Sequence, residues 1–331
     1  MKILVTGGAG YIGSHFVKAA IEQHHQVVIV DNLVTGHIEA IHPEARFFMG
    51  DIRDRTFLDD VFLHEQFDAC VHFAAHSLVE ESMRAPLLYF DNNVYGTICL
   101  IEAMAKHHVE ALVFSSSAAV YGVKEEMPIS ESAHETPANP YGESKLMMER
   151  MIRWAEHAHH IRYVSLRYFN VAGAAEDGSI GEDHFPETHL IPNVLQVALE
   201  HKPEIIIFGQ DYETKDGTCI RDYIHVLDLV DAHLRALEYL HAGHRSEIIN
   251  LGSEQGYSNL EIVHMARHVT NKALPFRFSG RRPGDPKVLI AANAKAEKIL
   301  HWRPQRGLES IISSAWRFHQ RFPSGYQGGQ R

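Results

Sequence analysis

Tyr141 and Lys145, in "NPYGESK", stand four residues apart. On a helix that spacing puts a phenol and an ammonium on one face. A phenol titrates at about 10 and is a poor base at neutral pH, but a neighbouring cation favours the phenolate and lowers that value. Ser117 closes the run "FSSS" upstream and can hydrogen-bond the same oxygen and relay a proton. Many helices carry Tyr and Lys at this spacing by chance, so the trio gains weight only from what precedes it.

What precedes it is "VTGGAGYIGSH", a glycine-rich turn directly after the apolar "KILV". It contains Gly8-x-Gly10-x-x-Gly13 and also the looser Gly7-x-x-Gly10-x-x-Gly13, and the turn alone does not choose between them. In both readings glycines let the backbone approach a pyrophosphate, and a helix from near Tyr11 offers that anion its unpaired N–H groups. Asp31 ends the next strand-like run, eighteen residues past Gly13, where it can accept both hydroxyls of an adenosine ribose. A carboxylate there repels a 2′-phosphate, so NAD is expected rather than NADP. Asp51, beside Ile52 at the end of the third run, is either an adenine contact or a turn-capping carboxylate. The glycine turn, the strand-end serines and the Tyr-Lys pair, in this order, describe an NAD-dependent enzyme.

These residues need a scaffold. "KILVTGG", "QVVIVDN", "ARFFMGD", "ACVHFAA" and "ALVFSSS" are short β-rich runs separated by stretches of helical period. Such alternation predicts an α/β fold, a doubly wound, Rossmann-like parallel sheet with ligands beyond the carboxyl ends of its strands. From about residue 171 glycine, proline and charge rise, and a smaller C-terminal α/β substrate lobe is expected over 171–331. The NAD domain is then 1–170, rejoined by a strand and helix from 223–250. The terminal "SGYQGGQR" is expected to fray.

Composition excludes several alternatives. The 331 residues carry a formal net charge of −11, which argues against nucleic acid as a partner. No apolar run is long enough to span a membrane, and no signal segment precedes "KILV". Three cysteines without a CxxC pattern fit buried thiols in a reducing cytoplasm. The 25 histidines are densest in "EHAHH" and "EDHFPETH", neither of which has HExxH spacing, so no metal is expected.

"TGGAGYIGSH", "HFAA", "FSSSAAVYG", "PYGESK", "RYFNVAGA", "GTCIRDYIHV" and "RRPGD" make the chain resemble the UDP-glucose 4-epimerases of the extended short-chain dehydrogenase/reductase superfamily, in register from residue 1 to about 325. The resemblance selects Gly7, Gly10 and Gly13 as the turn. It implies a bound NAD and a UDP-hexose inverted at C4 through a 4-keto intermediate, with Tyr141 taking the O4 proton. Cofactor contacts are implied for Tyr11, Ile12, Asn32, Ile52, Phe73, Ala74, Ala75, Asn92 and Tyr168, besides the glycines, Asp31, Asp51, Tyr141 and Lys145. Substrate contacts are implied for Ser117, Tyr141, Phe169, Asn170, His189, Leu190, Ile206 and Phe208. Further along, Arg221 and Arg282 fall at diphosphate contacts, Asp285 at the uridine ribose and Leu289 at the sugar pocket's wall. Arg221 has a competing reading, a salt bridge to Asp222, and Arg282 another, a solvated Arg pair.

Ser77 and His189 depart from a lysine and an asparagine found in some members, and Ala119 from a threonine seen in many, which bears on ligand affinity more than on reaction type. Members with a bulky tyrosine at the position of Leu289 exclude 2-acetamido sugars, so the resemblance extends the expected substrates to UDP-N-acetylhexosamines; the competing reading is that Leu289 is a core residue. Ala118 and Ala119 stand where sugar-nucleotide dehydratases need an acid and a base, which disfavours elimination. The remaining alternative, a non-catalytic NAD or nucleotide-sugar sensor, would have lost Tyr141 or Lys145. Members commonly dimerise through two helices, here near 88–107 and 141–158, so a homodimer is implied.

Overall fold

Each β-rich run is a strand in the computed structural model, which describes residues 1–282 and 285–326. In chain order the strands are β1 (Lys2–Thr6), β2 (Gln26–Asp31), β3 (Arg46–Met49), β4 (Ala69–His72), β5 (Ala111–Ser117) and β6 (Arg162–Tyr168). They continue as β7 (Asn170–Ala172), β8 (Ile205–Phe208), β9 (Ile220–His225), β10 (Glu247–Leu251), β11 (Gly256–Ser258), β12 (Phe276–Ser279) and β13 (Val288–Leu289). Seven of them form one parallel sheet in the order β10-β6-β5-β4-β1-β2-β3. The order reverses at β1, whose neighbours are β2 and β4. The crevice beyond the carboxyl ends of β1 and β4 is therefore the switch point where such sheets take ligands.

Strands buried on both faces explain the uninterrupted apolar runs. Ile3 and Val5 of β1 face one core with the helices Tyr11–Glu22 and Val226–His241 and the fully buried Trp302. Leu4 faces the other core, made with the helices Arg55–His64, Gly96–Lys106 and Pro140–His159. Helix Val226–His241 and β10 thus cover and extend the large sheet although they follow β8 and β9 in the chain. A smaller unit pairs β9 with β7, β11 and β13, and β8 with β12. Its core joins the helices Leu190–Ala198, Asn259–Thr270 and Leu308–Arg321 through Leu195, Ile262 and Ile311.

The tail is ordered further than expected. The Tyr326 hydroxyl accepts the Gly181 N–H at 3.0 Å, and its ring packs on His37 and Phe318. An aromatic ring with that much contact does not fray. The remainder of the expected frayed segment, 327–331, lies outside the described residues.

The helix Pro140–His159 begins where the sequence signals it. Asn139 accepts the Gly142 N–H at 2.9 Å, and Pro140 occupies the first helical position. Its buried face carries Tyr141, Lys145, Met148, Glu149 and Ile152. Glu149 has no contact with water and is met by three donors: Ser116 Oγ at 2.6 Å, Arg167 Nε at 2.9 Å and Arg167 Nη2 at 2.5 Å. Arg167 also pairs with Glu135 at 2.6 Å and lies over the Tyr121 ring at 4.8 Å. Glu149→Gln leaves part of a buried guanidinium charge uncompensated, and urea unfolding should show a loss of about 3 kcal/mol. The double variant Glu149→Leu/Arg167→Met, which leaves neither charge behind, should recover most of it; equal loss in both would contradict this reading.

Candidate active site

β1 ends at Thr6 and the chain reverses at Gly7 with φ +73°, a conformation only glycine takes without strain. A Cβ on Gly7 would stand 2.6 Å from Ala74 N, so the turns after β1 and β4 touch at the switch point. A Cβ on Gly13 would stand 2.1 Å from Gly7 O, so the helix and turn meet backbone to backbone. Gly8 instead packs on Ile29 and does not border the cavity. The glycines that shape the cradle are therefore 7, 10 and 13.

Gly10 begins the helix with no side-chain cap, and the N–H groups of Tyr11, Ile12 and Gly13 have no acceptor among the described residues. Three aligned donors and the positive end of a helix dipole suit a diphosphate. Asp31, buried at the end of β2, accepts Ala9 N–H at 3.0 Å and Leu33 N–H at 2.9 Å. Burial pushes its pKa up while those two N–H groups pull it down. Each carboxylate oxygen keeps a second lone pair for a ribose hydroxyl. The cradle a Cβ would fill, the free N–H groups and this carboxylate together fit NAD.

The cavity beyond the strand ends measures about 1280 Å³. Every expected site residue borders it except Asp51. The Asp51 carboxylate is occupied within the chain by Arg53 Nε at 2.9 Å, Arg53 Nη2 at 2.7 Å and Asn32 at 3.1 Å, and it caps Arg53 N–H. Gly50 and Ile52 form the wall there. Of its two readings, the turn-capping one describes what its oxygens do.

Tyr141, Lys145 and Ser117 all border this cavity. Burial raises the Tyr141 pKa, and the hydrogen bond with Ser117 pulls it part of the way back. Lys145 Nζ donates to the Ser115 carbonyl at 2.9 Å; burial lowers its pKa to about 7 against the opposing pull of Glu149. The β5–β6 register sets Ser115–Ser117 opposite Leu166–Tyr168, and Ser115 Oγ meets the Tyr168 hydroxyl at 2.9 Å. A phenol hydrogen-bonded to a serine can take a proton from an alcohol and return it.

β8, β9, Arg282 and residues 285–289 border another part of the same cavity. Arg221 pairs with Asp285 at 2.8 Å and donates to the Ile220 and Pro286 carbonyls. Its competing partner Asp222 is committed elsewhere, to Ser253 and to Ala291 N–H. Arg282 is exposed and lies over the Phe208 ring at 4.1 Å, while Pro283 and Gly284 of "RRPGD" fall outside the described residues. Ile206, Leu190, Leu289, Phe169 and Asn170 complete this wall.

Sequence reasoning missed Glu182, His184 and Glu187, which border the cavity beside His189. Burial disfavours a charge on His189, but Glu182 and Glu187 outweigh it and push its pKa up to about 9. The test applied to "EDHFPETH" assumed helical spacing, whereas the segment is a loop. Arg167 and Glu149 were missed as well, having no motif to mark them.

Residues 3–252 match the NAD dependent epimerase/dehydratase family. The chain is similar to a UDP-glucose 4-epimerase of Streptococcus mutans, 55% identical over 98% of this chain and 99% of the relative. It superposes on a crystal structure of a UDP-glucose 4-epimerase with a TM-score of 0.97 at 51% identity, covering 98% of this chain and 99% of the other. The Bifidobacterium longum UDP-glucose 4-epimerase, solved with NAD+ and UDP, gives a TM-score of 0.93 at 35% identity over 98% and 100% of the two chains.

Lys145 yields a stability test. Its pKa is about 7 when folded against 10.5 unfolded, so the unfolded chain binds that proton more tightly. The resulting handicap is fully present below about pH 7 and fades as pH rises toward the unfolded value. Lys145→Met removes it. The Tm of this variant minus that of the unmutated protein should be several degrees more positive at about pH 6 than at about pH 9. A difference that does not change with pH would contradict the burial of a titrating lysine.

Proposed function

The chain belongs to the NAD dependent epimerase/dehydratase family, and on that premise we propose that it is a UDP-glucose 4-epimerase, interconverting UDP-galactose and UDP-glucose. The observation that carries this reading is the placement of Tyr141, Lys145 and Ser117 at the switch point, facing the same cavity as a glycine cradle with free N–H groups. When bound, NAD supplies a reversible hydride acceptor for C4 of the hexose. Gly7, Gly10, Gly13 and the first turn of the helix from Tyr11 hold its diphosphate, and Asp31 its adenosine ribose. Tyr141 takes the O4 proton with Ser117 as relay, and returns it once the 4-ketohexose has turned over. Lys145 eases ionisation of the phenol.

Turning over requires a tight grip on the nucleotide and a loose one on the sugar. Arg221, Arg282 and Asp285 hold the UDP end, with Ile206 and Phe208 as its apolar floor. The sugar faces Phe169, Asn170 and Leu289, which offer few charged anchors. An acidic chain thus binds a dianionic tether through two placed arginines and N–H groups rather than through a basic surface. The NAD-binding role falls to the large sheet with β10, and the substrate role to the smaller unit.

Two further parts of the reading go with it. Leu87, Leu88, Tyr95, Met147 and Trp154 are exposed apolar residues on or beside the helices near 88–107 and 141–158, which supports a homodimer through that face. Buried free thiols at Cys70, Cys99 and Cys219 support a cytoplasmic setting. Among the described residues no helix is long and apolar enough to cross a membrane.

Tyr141→Phe keeps the ring and removes the proton carrier. Conversion of UDP-galactose should fall by about 10²–10⁴-fold or more, while NAD content and UDP binding persist. Near-normal turnover would overturn the assignment. Substrate breadth has its own test. The Leu289 side chain leaves room at the sugar wall for a 2-acetamido group, so the enzyme should also interconvert the UDP-N-acetylhexosamines. Leu289→Tyr should abolish that activity and spare the plain hexoses, as kcat/KM for both pairs will show; an unmutated enzyme inert toward UDP-N-acetylglucosamine refutes the extension.

A further inference from the structure

One cluster of side chains has no part in the hydride and proton chemistry. We propose that Glu182, His184, Glu187 and His189 form a four-ligand site for a divalent transition metal of the Zn²⁺ type. Each offers one donor atom, and the four donors lie within 4.8 Å of one another. Tetrahedral Zn²⁺ with bonds of about 2.0–2.2 Å to nitrogen and oxygen requires donors about 3.3–3.5 Å apart.

The cluster is close to that shape. His184 Nδ1 lies 3.3 Å from Glu182 Oε1 and 4.0 Å from Glu187 Oε2. His189 Nδ1 lies 3.6 Å from Glu187 Oε1 and 2.5 Å from Glu182 Oε1. For an ion to enter, the last contact, a hydrogen bond, has to open, and Glu187 has to bring one oxygen closer to both rings. His184 Nδ1 has no accessible surface of its own and faces the two carboxylates, 3.3 Å from the nearer one.

Donor chemistry narrows the ion. Two imidazoles and two carboxylates suit Zn²⁺ or Co²⁺, whereas Mg²⁺ and Ca²⁺ ask for six or more oxygens. Two neutral imidazoles and two carboxylates, offset by one dication, leave no net charge in a partly buried place. The loop is also held from outside: the Gly181 N–H is bound by the Tyr326 hydroxyl, and Asp183 accepts the Tyr326 N–H at 3.0 Å. Four protein ligands leave no open coordination position, so the site is structural. It would fix the wall of the cavity where His189 begins the helix Leu190–Ala198.

The inference is independent of the epimerase reading, and its readout is metal binding rather than turnover. NAD-bound protein is stripped with dipicolinate and titrated with Zn²⁺ by calorimetry, and separately with Co²⁺ followed by visible absorption. One Zn²⁺ per chain is expected, with the intense visible bands of four-coordinate Co²⁺ and a higher Tm in the loaded protein. His184→Ala and Glu187→Gln should each weaken Zn²⁺ by about 100-fold or more, beyond the loss typical of outer-shell partners. Equal affinity in the unmutated protein and both variants, or no saturable Zn²⁺ binding, would overturn the proposal and leave a metal-free ion cluster. The Co²⁺ spectrum decides the matter even where a variant does not fold, because weak, six-coordinate bands in the unmutated protein would also overturn it.

Discussion

Glu149 is a buried carboxylate, and the position of the reactive tyrosine follows from how that charge is met. Arg167 reaches it from β6 and Ser116 from β5, so two adjacent strands hold one side chain of the helix Pro140–His159. Leaving the carboxylate unpaired would cost several kcal/mol, which makes any slip or rotation of the helix expensive. Glu149 lies one turn beyond Lys145 and two turns beyond Tyr141, on the same buried face. The ion pair therefore sets the height and the angle of both reactive groups above the strand ends. It also opposes, through its negative charge, the loss of the proton that burial urges on Lys145.

The same economy governs ligand binding. A chain with net charge −11 cannot attract a nucleotide diphosphate through its overall field. It relies on donors that act at hydrogen-bond distance: the unpaired N–H groups after Gly10, and the guanidinium groups of Arg221 and Arg282. The first set exists because a parallel sheet reverses its order at β1 and leaves a helix start facing the crevice. The second is supported by aromatic and acidic neighbours, Phe208 under Arg282 and Asp285 beside Arg221, which hold the long side chains in the cavity wall.

Local features were legible in the sequence because their physics is local. A glycine turn between an apolar run and a helical period, and a Tyr and Lys four residues apart, have geometry fixed by a single turn of backbone. So do the Asn139–Pro140 helix start and the alternation of runs that dictates a parallel sheet. The family resemblance added the distant residues, and all of these border one cavity, whereas Asp51, read from its place at a strand end, does not. Asp51 fell outside because its fate depended on Arg53, two residues on, which reaches back around the carboxylate.

By itself, then, the sequence determined the sheet, the cradle, the Tyr-Lys pair and the carboxylate at the end of β2, since each follows from spacing within one element or its neighbour. Tertiary structure decided which charges meet: Arg167 with Glu149, Arg221 with Asp285 rather than the adjacent Asp222, and Glu182 and Glu187 with His184 and His189. It also decided that Tyr326 docks on the loop before His189. No periodicity encodes such pairings. A buried charge takes whatever partner the packing of separate elements brings within reach, and the cost of leaving it alone is what makes that partner obligatory.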